Sequence, residues 1–121
     1  MPNLVTGVIA GTVIALMPAV PPDSGTSLRL TLSHPDRRPR AVTLRCDPPG
    51  GGHPEAAQAC SELSGSGGKL AHPPDGRMCT AVHAPVVART EGRWHGKPVR
   101  FRAEYGNDCV MRSRTGTVFA F

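Results

Sequence analysis

A chain of 121 residues with a formal net charge of +5 is one domain, and if the first twenty or so residues are removed only about a hundred remain to fold. Fourteen glycines and thirteen prolines against one Trp, one Tyr and three Phe describe a turn-rich chain with few large side chains to pack. That composition excludes a core large enough to enclose a deep catalytic pocket, and it makes covalent staples valuable.

Leu4 to Val20 is almost uncharged, rich in Val, Ile, Leu and Ala, and broken by Pro18, Pro21 and Pro22 with the small Ala19 beside them. This is the pattern of a secretory signal, although no Lys or Arg precedes Arg29. About 17 apolar residues with internal glycines and an adjoining Pro cluster make a weak membrane span. The expectation is a signal peptide and flexible N-terminal segment over 1–26 and a folded domain over 27–121. The product would be secreted and extracellular, with no membrane contact after signal removal.

Leu28, Leu30 and Leu32 alternate with Arg29, Thr31 and Ser33, which predicts a half-buried antiparallel strand over Ser27 to His34. Asp36 to Pro39 is a charged turn, after which Val42, Leu44 and Cys46 alternate with Thr43 and Arg45. The second strand therefore turns Cys46 inward and pairs with the first as a hairpin. Asp47 to Gly52 reads as a Pro/Gly loop. From His53 to Leu63 the period changes: Pro54 suits a first helical position, Glu55 suits the positive end of the dipole, and Ala56, Ala59, Cys60 and Leu63 share one face. A short amphipathic helix follows, stopped by Gly65 to Gly68.

Val86 to Thr90 is a strand candidate, Glu91-Gly92 a turn, Arg93 to His95 a brief strand start, and Gly96 to Pro98 a break. Val99, Phe101, Ala103 and Tyr105 then alternate with Arg100, Arg102 and Glu104 in a clear two-residue period. Gly106-Asn107-Asp108 turns the chain into Cys109. After Ser113 to Gly116, Thr117 to Phe121 reads as a short apolar end strand that closes inside the fold.

Cys46, Cys60, Cys79 and Cys109 are separated by 13, 18 and 29 residues, with no C-x-x-C pair. Zinc-ribbon spacing is absent, and an even set in an oxidising compartment favours disulfides, of which three pairings are possible. Cys60 on the apolar helix face could reach back to Cys46, which favours the sequential pairing. That pairing closes loops of 15 and 31 residues, worth roughly 3 and 3.7 kcal/mol in the chain-entropy account. His53, His72 and His83 lack ligand spacing and read as surface histidines. No metal, cofactor or catalytic residue is expected. Asp75, His83 and Ser113 exist, but no G-x-S-x-G or H-E-x-x-H motif places a nucleophile or a metal.

The segment Met78-Cys79-Thr80-Ala81-Val82-His83-Ala84-Pro85 is the candidate site. It follows a Pro-Pro turn and Gly76, can be anchored covalently at Cys79, and leaves through the stiff Pro85. A peptide held at both ends in this way resembles a peptidase substrate.

From about Ser27 to Phe121 the chain resembles the Streptomyces subtilisin inhibitor family of secreted serine-peptidase inhibitors. The resemblance rests on Ala41-Val42-Thr43-Leu44 before Cys46, His53-Pro54 before Cys60, Met78-Cys79, and Ala84-Pro85-Val86. It extends through Gly92-Arg93-Trp94-His95-Gly96-Lys97, Asn107-Asp108-Cys109 and the terminal Val118-Phe119-Ala120-Phe121. It implies an α+β fold, a single antiparallel five-stranded sheet with two short helices and two disulfides in sequential pairing, and a homodimer formed through the sheet.

Carried onto this sequence, the resemblance implies a reactive bond between Ala81 and Val82, with Ala81 entering the primary specificity pocket of a subtilisin-like peptidase. Cys79 and Thr80 precede that bond, Met78 would enter a hydrophobic pocket upstream, and Val82, His83 and Ala84 lie on the leaving-group side. Asn107 matches the family asparagine that supports the loop from behind. Thr80 stands where proline is common in the family and Ala81 where Met or Lys is common. An alanine cannot reach a buried acid at the base of a trypsin-like pocket, which points to subtilisin-like or elastase-like enzymes.

A different class of function is a secreted, basic, disulfide-stabilised binding module for a polyanion or surface partner, without inhibitory activity. Its support is the charge of Arg37, Arg38, Arg40 and Arg45, and of Arg89, Arg93, Lys97, Arg100 and Arg102. Arginines alternating along a half-exposed strand are equally its solvated face, and only Trp94 and Tyr105 could offer stacking. Nucleic acid is therefore not an expected partner.

Overall fold

A computed structural model describes residues 25–121, with Gly11 apart. The expected signal over Leu4 to Val20 lies outside the described residues, and no described helix is long and apolar enough to cross a membrane. The elements are β1 (Thr26–Ser33), β2 (Arg40–Cys46), β3 (Gly50–Gly51), α1 (Ala56–Gly65), β4 (Val86–Trp94), β5 (Lys97–Tyr105) and α2 (Asp108–Thr115). The strands form one antiparallel sheet in the order β3-β2-β1-β4-β5.

The leading hairpin forms as its alternation predicts, with Leu28 opposite Leu44 and Leu30 opposite Val42. Leu28, Leu30, Leu32 and Leu44 are buried on one face of the sheet together with Val86 and Ala88 of β4. Each such leucine or valine side chain contributes about 1.5–3 kcal/mol when fully removed from water. Ala59 and Leu63 of α1 cover that face, and a disulfide from inward-facing Cys46 to Cys60 staples the helix to β2 with Cα atoms 5.7 Å apart. The second disulfide joins Cys79 to Cys109. The pairing is sequential.

Several local readings are corrected by the tertiary structure. The Asp47 to Gly52 loop contains β3, because Gly50 and Gly51 pair with Arg45 and Leu44 at the sheet edge. The first helix begins at Ala56 rather than Pro54, and Glu55 precedes it without a side-chain cap. His53 supplies the local order there: its Nδ1 accepts from the Glu55 N–H at 2.9 Å, leaving Nε2–H to donate to the Val118 carbonyl at 2.8 Å. It is 6% exposed, a core residue rather than a surface histidine.

Glu91-Gly92 is not a turn. β4 runs through it, and Gly92, at φ 148°, lies so close to β1 that a Cβ would meet the Ser27 carbonyl oxygen. The glycine serves backbone approach, not reversal. The reversal comes at His95-Gly96, with φ 47° and 78°, the positive-φ pair that a two-residue hairpin loop demands. Pro98 lies within β5, tolerated because β5 is an edge strand.

Ser113 to Gly116 is the end of α2, and Thr117 to Phe121 is not a strand but a turn-rich tail. Val118 and Phe119 are buried, so the apolar character of the tail reflects core filling. Its backbone is held by α1, since Glu62 Oε1 accepts from the Thr117 N–H at 2.7 Å.

Candidate functional site

Between α1 and β4 the chain runs from Lys69 to Pro85 without regular structure. Its fixed points lie on α2. The N–H groups of His72 and Asp75 donate to the carbonyls of Arg114 (2.9 Å) and Ser113 (3.0 Å), using acceptors that a helix C-terminus leaves free. Downstream, the Ala84 N–H donates to the Gly106 carbonyl at 2.8 Å. Between these ties the disulfide joins Cys79 to Cys109 in the first turn of α2.

The first turn of α2 is where the loop and the scaffold meet. Asn107 is extended (φ −166°, ψ 172°), and its Oδ1 caps the helix by accepting from the Val110 N–H at 2.9 Å. The amide of the same side chain faces the loop: Nδ2 donates to the carbonyls of Thr80 at 3.1 Å and Val82 at 2.9 Å. One side chain thus caps the helix and holds the carbonyls on either side of Ala81. Ala81's own carbonyl takes no hydrogen bond among the described residues.

Ala81, Val82, His83 and Ala84 are exposed, and Met78 is 96% exposed and Val82 62%. Met78 and Val82 are thus the large apolar side chains left exposed among the described residues, and both lie in this loop. Upstream, Arg77 grips Asp75 through Nε and Nη2 at 3.0 and 2.7 Å. That side-chain bond, seconded by the Arg77 backbone N–H, holds the Asp75 carboxyl below its usual range and raises Arg77.

The structure adds one residue that the sequence patterns did not single out. His34, at the end of β1 and 7% exposed at its side chain, has Nε2 2.8 Å from Asp108 Oδ1. It ties the sheet to the turn carrying Asn107 and Cys109, a contact spanning 74 residues that no local signal could announce. The helix itself did have a signal. Asn107 as cap, Asp108 in the first turn, Arg112 and Arg114 in the last and Gly116 after them form a start-and-stop pattern obscured by the disulfide cysteine inside it.

A family model for subtilisin inhibitor-like domains matches residues 24–107. The chain belongs to the subtilisin inhibitor-like family. Among its relatives, a subtilase-type protease inhibitor of Streptomyces fradiae is 35% identical over the whole of both chains. A trypsin inhibitor of Streptomyces longisporus is 36% identical over 97% of this chain and 88% of its own. The subtilisin inhibitor of Streptomyces albogriseolus is 39% identical over 80% of this chain and 67% of its own. The crystal structure of Streptomyces caespitosus sermetstatin in complex with Bacillus licheniformis subtilisin matches with a TM-score of 0.63 and 28% identity, over 80% of this chain and 99% of that one. The five-stranded antiparallel sheet, two helices and two disulfides are those of the subtilisin inhibitor fold. The family's members are protease inhibitors, not enzymes.

Proposed function

We propose that this chain is a secreted serine-peptidase inhibitor that presents Met78 to Ala84 as a substrate-like loop, with Ala81-Val82 as its reactive bond. The observation that carries the reading is the double grip of Asn107 on Thr80 and Val82, with Ala81 exposed between them. A peptidase serine attacks the Ala81 carbonyl, and the oxyanion hole receives an oxygen that no internal hydrogen bond competes for. After acylation the Val82 amine stays in place, because Asn107 holds the Val82 carbonyl and Gly106 holds Ala84. Reversal of the acylation is then favoured over hydrolysis, since the leaving amine keeps a high effective concentration. A loop already ordered by the Cys79–Cys109 bond loses little entropy on binding.

The targets in this reading are extracellular subtilisin-like and elastase-like peptidases, because the methyl group of Ala81 suits small or broad specificity pockets. Met78 enters the upstream hydrophobic pocket, and no cofactor takes part. Secretion is supported by the apolar segment Leu4 to Val20 and by the two disulfides. The homodimer through the sheet that the family resemblance implies is part of this proposal. Sedimentation equilibrium checks that point.

The deciding experiment incubates the mature protein with subtilisin and sequences the slowly formed nick. A nick between Ala81 and Val82, with inhibition retained by the nicked protein, is the expected result. A nick elsewhere, or rapid digestion without inhibition, would sink the reading.

A further inference from the structure

Three strand ends meet where the Met78 to Ala84 loop rejoins the sheet. β4 begins at Val86, with Ser33 at the end of β1 opposite Val87 on one side and Tyr105 at the end of β5 opposite Val86 on the other. β1 and β5 are therefore separated by β4. His34 bridges that gap: its Nε2 lies 2.8 Å from Asp108 Oδ1, so a side chain just past β1 spans the start of β4 to reach the turn that follows β5. The ring and Pro35 share a cleft with His83, Ala84 and Pro85, the limb by which the loop returns to the sheet.

The neighbours of Asp108 carry the fixed points of the loop. Gly106 accepts from the Ala84 N–H, Asn107 donates to the Thr80 and Val82 carbonyls, and Cys109 is bonded to Cys79. His34 ties this run, Gly106 to Cys109, to β1, the central strand of the sheet. The bond has a cost elsewhere on the ring. A carboxylate only accepts, so Nε2 holds the proton and Nδ1 keeps a bare lone pair. Nδ1 is buried without a hydrogen-bond partner among the described residues, in a side chain 7% exposed. An unpaired buried acceptor lowers the stability of the free fold. Asp108, 43% exposed at its side chain, would be hydrated if released. A leucine of similar size would thus serve the fold as well as His34 does, so stability alone does not account for a histidine at this position.

We propose that His34 is a positioning residue for the Met78 to Ala84 loop, acting through Asp108 on Asn107 and Gly106. This role rests on the inhibitory reading above. In the acyl-enzyme the Val82 amine must meet the Ala81 ester carbon again. When it does, the C–N bond re-forms as the ester C–O bond breaks, and the amine proton passes through the peptidase histidine to the serine oxygen. Asn107 and Gly106 hold the Val82 and Ala84 side of the nick. A displacement of these residues by ~1 Å would spoil that approach. His34 prevents it by fixing them to the central strand. Without its bond the Cys79–Cys109 disulfide and the Asn107 side chain remain, but Gly106 to Cys109 are free to shift relative to β1.

The test uses the disulfide-bonded protein and subtilisin. It reads thermal melting, the rate at which the Ala81–Val82 bond is nicked in the complex, and the solvent exchange of the Asn107 Nδ2 protons in the free protein. His34→Leu should melt within about 4 °C of the parent, yet be nicked, and exchange its Asn107 amide protons, at least about tenfold faster. His34→Gln, which offers an N–H donor in place of Nε2–H, should stay within about threefold of the parent on both rates. Asp108→Ala deletes the acceptor from a half-exposed side chain and leaves the ring in place. It should match His34→Leu, and the double variant should be no faster than either single one, because both remove the same link. A role in folding alone predicts lower melting temperatures with both rates unchanged below the transition, and that result overturns the assignment. So does a parent nicked at Ala81–Val82 whose His34→Leu and Asp108→Ala variants keep its rates, or a His34→Gln variant as fast as His34→Leu. A parent that fails to inhibit, or is nicked elsewhere, removes the inhibitory reading instead. The exchange of the Asn107 protons then still reports whether His34 positions that side chain.

Discussion

Asn107 and Val82 are 25 residues apart in sequence and joined by a hydrogen bond of 2.9 Å, from the Asn107 amide to the carbonyl just past the proposed reactive bond. The same side chain caps α2 through its other atom. Two substitutions separate these roles. Asn107→Asp keeps an oxygen for the cap and loses both donors to the loop, so the fold should hold while subtilisin inhibition weakens about thirtyfold, following about 1 kcal/mol for each of the two lost bonds. Asn107→Ala loses the cap as well and should cost a further ~1 kcal/mol of stability. Inhibition constants and thermal melts on both variants check the separation.

Removing the loop disulfide should turn inhibitor into substrate. With Cys79→Ser and Cys109→Ser the loop keeps the Asn107 bonds but loses its covalent end, and the unfolded chain gains the entropy of a 31-residue loop, roughly 3.7 kcal/mol. The midpoint of thermal unfolding should fall by more than about 10 °C. Subtilisin should then cleave the loop quickly and stay active, as a time course of residual activity would reveal.

Ala81→Lys should redirect the protein toward trypsin without changing its stability, because residue 81 is exposed. Trypsin inhibition should strengthen by at least a hundredfold, as a lysine reaches the acid at the base of that pocket. An unchanged inhibition profile would place the reactive bond elsewhere.

Gly92→Ala should destabilise by about 1–3 kcal/mol, since the added methyl meets the Ser27 carbonyl of β1 and the residue sits at φ 148°. Gly106→Ala, where a Cβ meets nothing within 4 Å, is the comparison. Denaturant titration of both distinguishes steric conflict from a general intolerance of alanine.

The Asp75–Arg77 clasp sets a pH dependence at the upstream limb of the loop. Asp75 titrates below its unfolded value, chiefly through the Arg77 side-chain bond. Its contribution is therefore present above the ordinary aspartate range, and it is lost as pH falls through the lowered folded value. The Arg77 Nε–H resonance should keep its bonded shift at neutral pH and lose it only in that acidic window. Asp75→Asn should abolish the transition.

The alternation of Leu28, Leu30 and Leu32, and of Val99, Phe101, Ala103 and Tyr105, was legible because a half-exposed strand repeats every two residues whatever its partner. α1 was legible from its apolar face. Glu91-Gly92 misled because a glycine needed for close backbone approach and a glycine needed for reversal look alike in sequence, and only β1, packed alongside, distinguishes them. Thr117 to Phe121 misled for a related reason: a run of apolar residues reports burial, and burial here comes from plugging the core rather than from joining the sheet.

By itself the sequence determined which residues of the leading strands and the first helix would face the core, that four cysteines would staple a small core, and that Met78 to Pro85 would be an exposed, tethered segment. These depend on side-chain chemistry and short-range periodicity. Tertiary structure alone decided that Asn107 holds both carbonyls around Ala81 and that His34 locks Asp108. Both depend on strand order and register, which bring residues distant in the chain within hydrogen-bonding reach.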